Sequence, residues 1–430
     1  MPDLTDQLMP RLRQHRLPEL NLPEEFVQPN YNGLSILNTP NSICRLLGIP
    51  AANNIPALTP EILEPLGGEV RKVLLILMDA LALHRFRAWI SVRPDMFWHQ
   101  FIDRGVLAPL TSITPSTTSA ALTSYWTSTS PRSHGIVGYE GWLKEYGIVA
   151  NMISHKPITY QSGRAGSLEQ AGFSAETFLP VDPIGLHFLE QDIEAHAFQH
   201  YSIIHSGMSR MFIKKVKKHG TSTAVDLWVS VRKLWEQDLR RKLFTWVYWP
   251  DVDSLSHLHG PDDERTEAEF EAFSQAFERM FLNKLTGEQL KDTAVILTAD
   301  HGQITTNKED DHYDLRNHPE LTRRLHMLPT GENRLAFLYI KPGQVEAVRE
   351  YIERTWPNQF TLLDSVYAIE KGLFGPGEQH PRLLDRTGDM IALARGQAFW
   401  WWGAGPNPIY GRHGGLSPEE MVVPFLAARL

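Results

Sequence analysis

Arg71-Lys72-Val73-Leu74-Leu75-Ile76-Leu77-Met78-Asp79 holds a continuous apolar run, Val73 to Met78, of strand length that ends in a carboxylate. No polar residue alternates within it, so the strand it predicts is buried on both faces, as strands of parallel sheets are. The design recurs twice. Leu243-Phe244-Thr245-Trp246-Val247-Tyr248-Trp249 leads to Asp251 and Asp253, and Thr293-Ala294-Val295-Ile296-Leu297-Thr298-Ala299 leads to Asp300-His301. Helical patterns lie between these runs, such as Glu264 to Phe281 with Phe270, Phe273, Phe277, Met280 and Phe281 on one face. Alternating strands and helices predict an α/β fold, a doubly wound and mostly parallel sheet sandwiched by helices. Such sheets bind ligands beyond the carboxyl ends of their strands. Three strands here deliver Asp or Asp-His to that edge.

Around this core the chain divides unevenly. Ten prolines in the first 70 residues predict a loop-rich N-terminal arm over 1–70, packed on a domain spanning 71–430. Two stretches poorer in strand–helix units, near 140–240 and 303–400, read as insertions able to cap the site. The 430 residues carry a formal charge of −8, which argues against a general nucleic-acid coat. A single cysteine, Cys44, excludes a disulfide framework and a thiolate zinc cluster. No apolar run approaches the ~20 residues of a membrane-spanning helix. The N-terminal residues show no basic-then-apolar leader pattern, so a cytoplasmic location is expected.

Six side chains form a candidate metal site. Asp79 ends the first strand, Asp253 and His257 stand one helical turn apart, Asp300-His301 follow the third strand, and His413 lies in Gly411-Arg412-His413-Gly414-Gly415. Imidazole and carboxylate without thiolate suit zinc well and manganese less well. A nucleophile candidate sits in Thr114-Pro115-Ser116-Thr117-Thr118-Ser119-Ala120-Ala121, where proline, hydroxyl residues and a small-residue run read as a helix N-terminus favourable to anions. A dication beside one of these hydroxyls would remove its proton. Ser116, Thr117 and Thr118 are all open to that role. Other features read as structural. Lys214-Lys215-Val216-Lys217-Lys218 is expected on a solvated helix face. Phe399-Trp400-Trp401-Trp402, after Met390-Ile391-Ala392-Leu393-Ala394, is expected in a buried hairpin, with stacking on a base or sugar as the alternative. No phosphate-binding loop or dinucleotide fingerprint is present, so an NTPase or dehydrogenase has no support.

In this order, Asp79, Thr118, Asp253, His257, Asp300-His301 and His413 resemble the alkaline phosphatase superfamily, and within it the type I phosphodiesterase/nucleotide pyrophosphatase branch. Pro115-Ser116-Thr117-Thr118 resembles that branch's nucleophile motif, and Ser133-His134-Gly135-Ile136-Val137-Gly138 the segment after the nucleophile helix. The resemblance runs from about residue 72 to the C-terminus. It implies an alkaline phosphatase-like catalytic domain with two divalent ions, most readily zinc. Asp253, His257 and His413 would hold one, and Asp79, Asp300 and His301 the other, with Thr118 bound beside it as nucleophile. It also implies in-line attack on phosphorus, a covalent phospho-enzyme intermediate, and a small phosphoester or nucleotide as substrate. Where the branch places an asparagine for a non-bridging oxygen, this chain has Tyr139, whose phenol can donate one hydrogen bond. Three carboxylates and an alkoxide balance two dications, which tilts the expectation toward singly charged diesters. A monoester, phosphonate or sulfate hydrolase on the same residues, and a metal-bound scaffold without turnover, are the alternatives.

Overall fold

The structure, a computed structural model, describes residues 3–158, 164–237 and 242–430. Its centre is a seven-stranded sheet built from β1 (Lys72–Met78), β2 (Gly105–Thr111), β3 (Ile193–His200), β4 (Lys217–Thr221), β5 (Lys242–Trp249), β6 (Thr293–Thr298) and β7 (Val422–Arg429). The spatial order is β2-β7-β6-β1-β5-β3-β4. Neighbours from β6 through to β4 pair in parallel, while β7 runs antiparallel to both β2 and β6. Helices flank it, giving the expected α/β class; two of them, α1 (Thr118–Thr127) and α2 (Asp251–His259), carry residues of the site. β1, the most apolar of the expected strands, lies at the centre between β5 and β6, which explains why its residues 73–78 are apolar on both faces.

Four sheet strands carry weaker sequence signals. Pro109 interrupts β2 and Pro424 interrupts β7, and proline ordinarily argues against a strand. The register explains both. The two prolines face each other, Pro109 on the outermost strand and Pro424 one residue beyond the stretch of β7 that pairs with β6. Neither lost N–H therefore costs a bond of the inner ladder. β3 and β4 are interspersed with His, Lys and Glu because they form the sheet's other margin. The lysine run 214–218 accordingly enters edge strand β4 rather than a helix face, and Lys217 reaches Glu194 on β3.

Within 140–240, β3 and β4 thus belong to the main sheet. Residues 140–157 instead join parts of 303–400 in a second, antiparallel seven-stranded sheet. Its order is Phe360–Asp364, Met390–Ala394, Leu335–Leu338, Thr330–Glu332, Glu140–Leu143, Ile148–Asn151, Lys156–Pro157. Gly331 lies opposite Glu140 where the two stretches meet. The N-terminal residues pack on β2: the Leu4 N–H donates to the Leu107 carbonyl at 2.8 Å, and Leu8 and Leu12 are fully buried. Among the described residues no helix is long and apolar enough to cross a membrane.

Candidate active site

The carboxyl ends of β1, β5 and β6 converge as the strand runs predict. Asp79 leaves β1, Asp300 and His301 leave β6, and α2, which follows β5, carries Asp253 and His257 one turn apart. Ligand atoms of Asp79, Asp300 and His301 lie within 4.8 Å of one another, and so do those of Asp253, His257 and His413. The two groups adjoin, since the rings of His301 and His413 stack at 3.9 Å.

Each histidine of the set has its Nδ1 against a main-chain carbonyl. His257 donates to Gly411 at 2.8 Å, His301 to Gly302 at 3.0 Å and His413 to Ser116 at 3.2 Å. A carbonyl only accepts, so the proton sits on Nδ1 and each Nε2 offers a lone pair. These Nε2 atoms face carboxylates: His257 to Asp253 at 3.3 Å, His301 to Asp79 and Asp300 at 3.5 Å each, His413 to Asp253 at 3.9 Å. Burial, then His301 and His257, hold His413 well below the ordinary histidine range and keep it neutral.

The carboxylates are shifted in the opposite direction. Asp79 is raised well above the usual carboxylate range, first by burial and then by the charges of Asp300 and Asp253. Asp300 is raised too, chiefly by burial. Asp79 Oδ1 and Asp300 Oδ2 are buried without a hydrogen-bond partner among the described residues. Lone pairs on three imidazoles, crowded acid groups and two orphaned oxygens fit divalent cations and no neutral guest. Second partners fix the acids: the Tyr248 hydroxyl donates to Asp79 and the Gln303 amide to Asp253.

Thr118 opens α1, and its Oγ1 lies 3.1 Å from His301 Nε2. The neighbouring hydroxyls point to other partners. Ser116 donates to the Gly415 carbonyl at 2.7 Å, and Thr117 donates to Glu332 Oε1 at 2.6 Å. Of these three hydroxyls, Thr118 is the one that meets the cluster. A cavity of 420 Å³ opens beside it, lined by Thr118, Asp253, His257, His413, Tyr139, Glu140, Glu332, Trp401 and Trp402 among others. Tyr139 is half-exposed there.

Some of this the sequence reading missed. Phe399 and Trp400 are buried as expected of core residues, yet Trp401 and Trp402 line the cavity from a loop. Glu332 accepts from Thr117 and, at 2.7 Å, from the Tyr139 N–H, and burial pushes it up to about 8. It arrives from the second sheet, whose pairing no local pattern announces. Gln303, three residues past Asp300, and Tyr248, at the end of β5, could have been sought as supports for the neighbouring acids.

A parallel-centred sheet bearing two carboxylate–imidazole triads and one hydroxyl defines the alkaline phosphatase superfamily's class of fold and site. Solved structures bear out the fold. Murine ectonucleotide pyrophosphatase/phosphodiesterase 5 is 17% identical, with 82% of this chain and 87% of that one covered and a TM-score of 0.59. Phosphonoacetate hydrolase from Sinorhizobium meliloti 1021, in complex with phosphonoacetate, is 15% identical, with coverages of 84% and 90% and a TM-score of 0.61. No curated protein matches the sequence. The family profile of type I phosphodiesterase/nucleotide pyrophosphatase matches residues 73–415, and the chain belongs to that family.

Proposed function

We propose that this chain hydrolyses phosphate diesters at a pair of divalent cations, with Thr118 as the nucleophile. The observation that carries the reading is a single helix-N-terminal hydroxyl set against two adjoining carboxylate–imidazole triads. Asp253, His257 and His413 would hold one cation, and Asp79, Asp300 and His301 the other, with zinc preferred over manganese for such donors. When bound, two such cations neutralise charge on the phosphoryl oxygens and lower the proton affinity of a hydroxyl or water beside them.

The chain's own groups do the rest. Thr118 loses its hydroxyl proton to solvent and its Oγ1 bonds to phosphorus as the P–O bond on the opposite side breaks; the departing alcohol keeps that electron pair and takes up a proton. Water then attacks the threonine phosphate ester, releasing the phosphoryl product and restoring the hydroxyl. N–H groups in the first turn of α1 lack intrahelical partners and add positive potential where non-bridging oxygens gather charge. Tyr139, which lines the cavity, offers a phenol to one of those oxygens. Tyr248 and Gln303 keep Asp79 and Asp253 from turning.

Among the described residues no Lys or Arg lines the cavity, which favours a singly charged diester over a dianionic monoester or a phosphonate bearing a second acid. Cys44, buried and unpaired, supports a reducing compartment, the cytosol. The test is hydrolysis of an aryl phosphodiester by purified protein. Activity should vanish in chelator and return with zinc or manganese, and Thr118→Ala should lower kcat at least about a thousandfold. Turnover that survives both treatments would overturn the mechanism. Two bound zinc ions with no turnover of any ester would identify a scaffold instead.

A further inference from the structure

One buried amide behind the triads is built into the fold at a cost. Gln303, three residues beyond Asp300, is fully buried, and its Oε1 has no hydrogen-bond partner among the described residues. Its Nε2 donates twice to Asp253, to the carboxylate Oδ1 and, at 3.3 Å, to the main-chain carbonyl. A buried amide oxygen left unpaired is unfavourable, and a methionine of similar length would carry no such group. Stability alone therefore does not account for a glutamine here. The residue is also gripped from the far side. Arg85, buried on the helix Leu83–Ser91, donates from Nη1 to the Gln303 carbonyl at 2.7 Å and from Nε to Asp262 Oδ1 at 2.9 Å. Asp262 Oδ2 accepts from the Thr305 hydroxyl at 3.1 Å, so the ion pair clamps the chain on both sides of Ile304. Ile304 and Thr305 pair in turn with Arg412 and Gly411, just before His413. A Cβ built on Gly411 would sit 2.1 Å from Gln303 Oε1, so the strand presses on the amide as well.

What the clamp fixes is which oxygen of Asp253 stays free. Oδ2 lies 3.3 Å from His257 Nε2 and Oδ1 lies 3.9 Å from His413 Nε2, so both carboxylate oxygens are turned toward the triad. Gln303 occupies Oδ1. An oxygen that already accepts an amide proton is the poorer donor to a cation, which leaves Oδ2 and two imidazoles as the donors of this triad. Three protein donors and one open position suit zinc, whereas manganese, magnesium and calcium seek six or more donors, largely oxygen. A carboxylate free to offer both oxygens would move the triad toward that second group.

We propose that Gln303, held by the Arg85–Asp262 clamp, is a positioning residue that restricts Asp253 to one donor oxygen and so discriminates against cations of higher coordination number at the Asp253–His257–His413 triad. The proposal rests on the two-cation reading of the site and is independent of which ester is cleaved. Arg85 acts through Gln303, since its guanidinium reaches the Gln303 carbonyl while the Gln303 amide reaches the acid.

The experiment titrates chelator-treated full-length protein with zinc and, separately, with manganese, and reads the ratio of the two affinities at each site by calorimetry. Gln303→Met should lower the zinc-to-manganese ratio at one of the two sites by at least about tenfold and leave the other site unchanged. Arg85→Met should move the same ratio in the same direction by a smaller factor. The double variant should go no further than Gln303→Met alone, because both substitutions act on one carboxylate. A ratio that stays at the parental value, or zinc and manganese weakened by the same factor, would overturn the proposal and leave Gln303 as a packing residue. A parent that takes up neither ion would overturn the two-cation reading and this proposal together. A parent that binds both ions and hydrolyses no diester would fail the diesterase reading alone, and the shift in the Gln303→Met ratio would still decide the proposal.

Discussion

Glu332 shows how one side chain couples the nucleophile loop to the segment that follows its helix. Its Oε1 holds both the Thr117 hydroxyl and the Tyr139 N–H, and burial moves its carboxyl from an ordinary 4.5 to about 8. Between those two values the unfolded chain has lost the proton and the folded chain still holds it. Unfolding therefore releases a proton, and the stabilisation, complete below 4.5, drains away as the pH rises toward 8. A glutamine in its place cannot titrate yet offers the same acceptor. The melting temperature of the Glu332→Gln protein, measured without metal and relative to the parent, should accordingly climb between about pH 5 and pH 8. A difference that stays flat with pH would show that Glu332 ionises normally.

At the scale of elements, the site hangs on short segments that clasp one another. The backbone of Ser116 bridges Gly414, the Ser116 hydroxyl accepts the Gly414 N–H at 3.2 Å, and the Ser116 carbonyl orients His413. Gly414 has a φ of +108°, and a Cβ built there would sit 2.4 Å from Glu332 Cβ. Both the backbone conformation and the space require glycine. Gly414→Ala should cost about 2 kcal/mol or more of stability and disturb the clasp that aims His413. The expected readout is a lower melting temperature together with at least tenfold weaker zinc binding at one of two sites. An alanine variant with parental zinc affinity would mean that the clasp does not position His413.

Elements also separate what was legible in the sequence from what was not. β1, β5 and β6 were readable because a central parallel strand must be apolar on both faces, and the residues just past them inherit a predictable location. β2 and β7 hid behind Pro109 and Pro424, which the register places where no ladder bond is lost. The second sheet was illegible for a different reason. Its strands are short and pair across nearly two hundred residues of chain, so no local period encodes them. Glu332, Trp401 and Trp402, all carried by that part of the chain, could only be assigned to the cavity once it was assembled.

Across the whole molecule, the six candidate ligands span positions 79 to 413, so the unfolded chain holds no preformed site. Ions that bind only the folded state raise its stability by mass action, by about 2.7 kcal/mol when present at a hundred times their dissociation constant. Zinc added to chelator-treated protein should therefore raise the melting temperature by several degrees. It should also release protons, because burial and neighbouring acids raise the proton affinity of Asp79 and a cation lowers it. Calorimetry in buffers of different ionisation enthalpy measures that release, and a melting temperature indifferent to zinc would argue that the triads do not take the ion.

The position of β7 has a consequence for synthesis. Of the seven main-sheet strands it is the last to leave the ribosome, yet it is inserted between β2 and β6. Until residues 422–429 emerge, the nascent polypeptide carries a slot between two unpaired strand margins, open to other chains. Productive closure therefore waits on the last of the seven strands, and shielding by a chaperone during elongation would matter more for this topology than for one whose final strand is added at the rim.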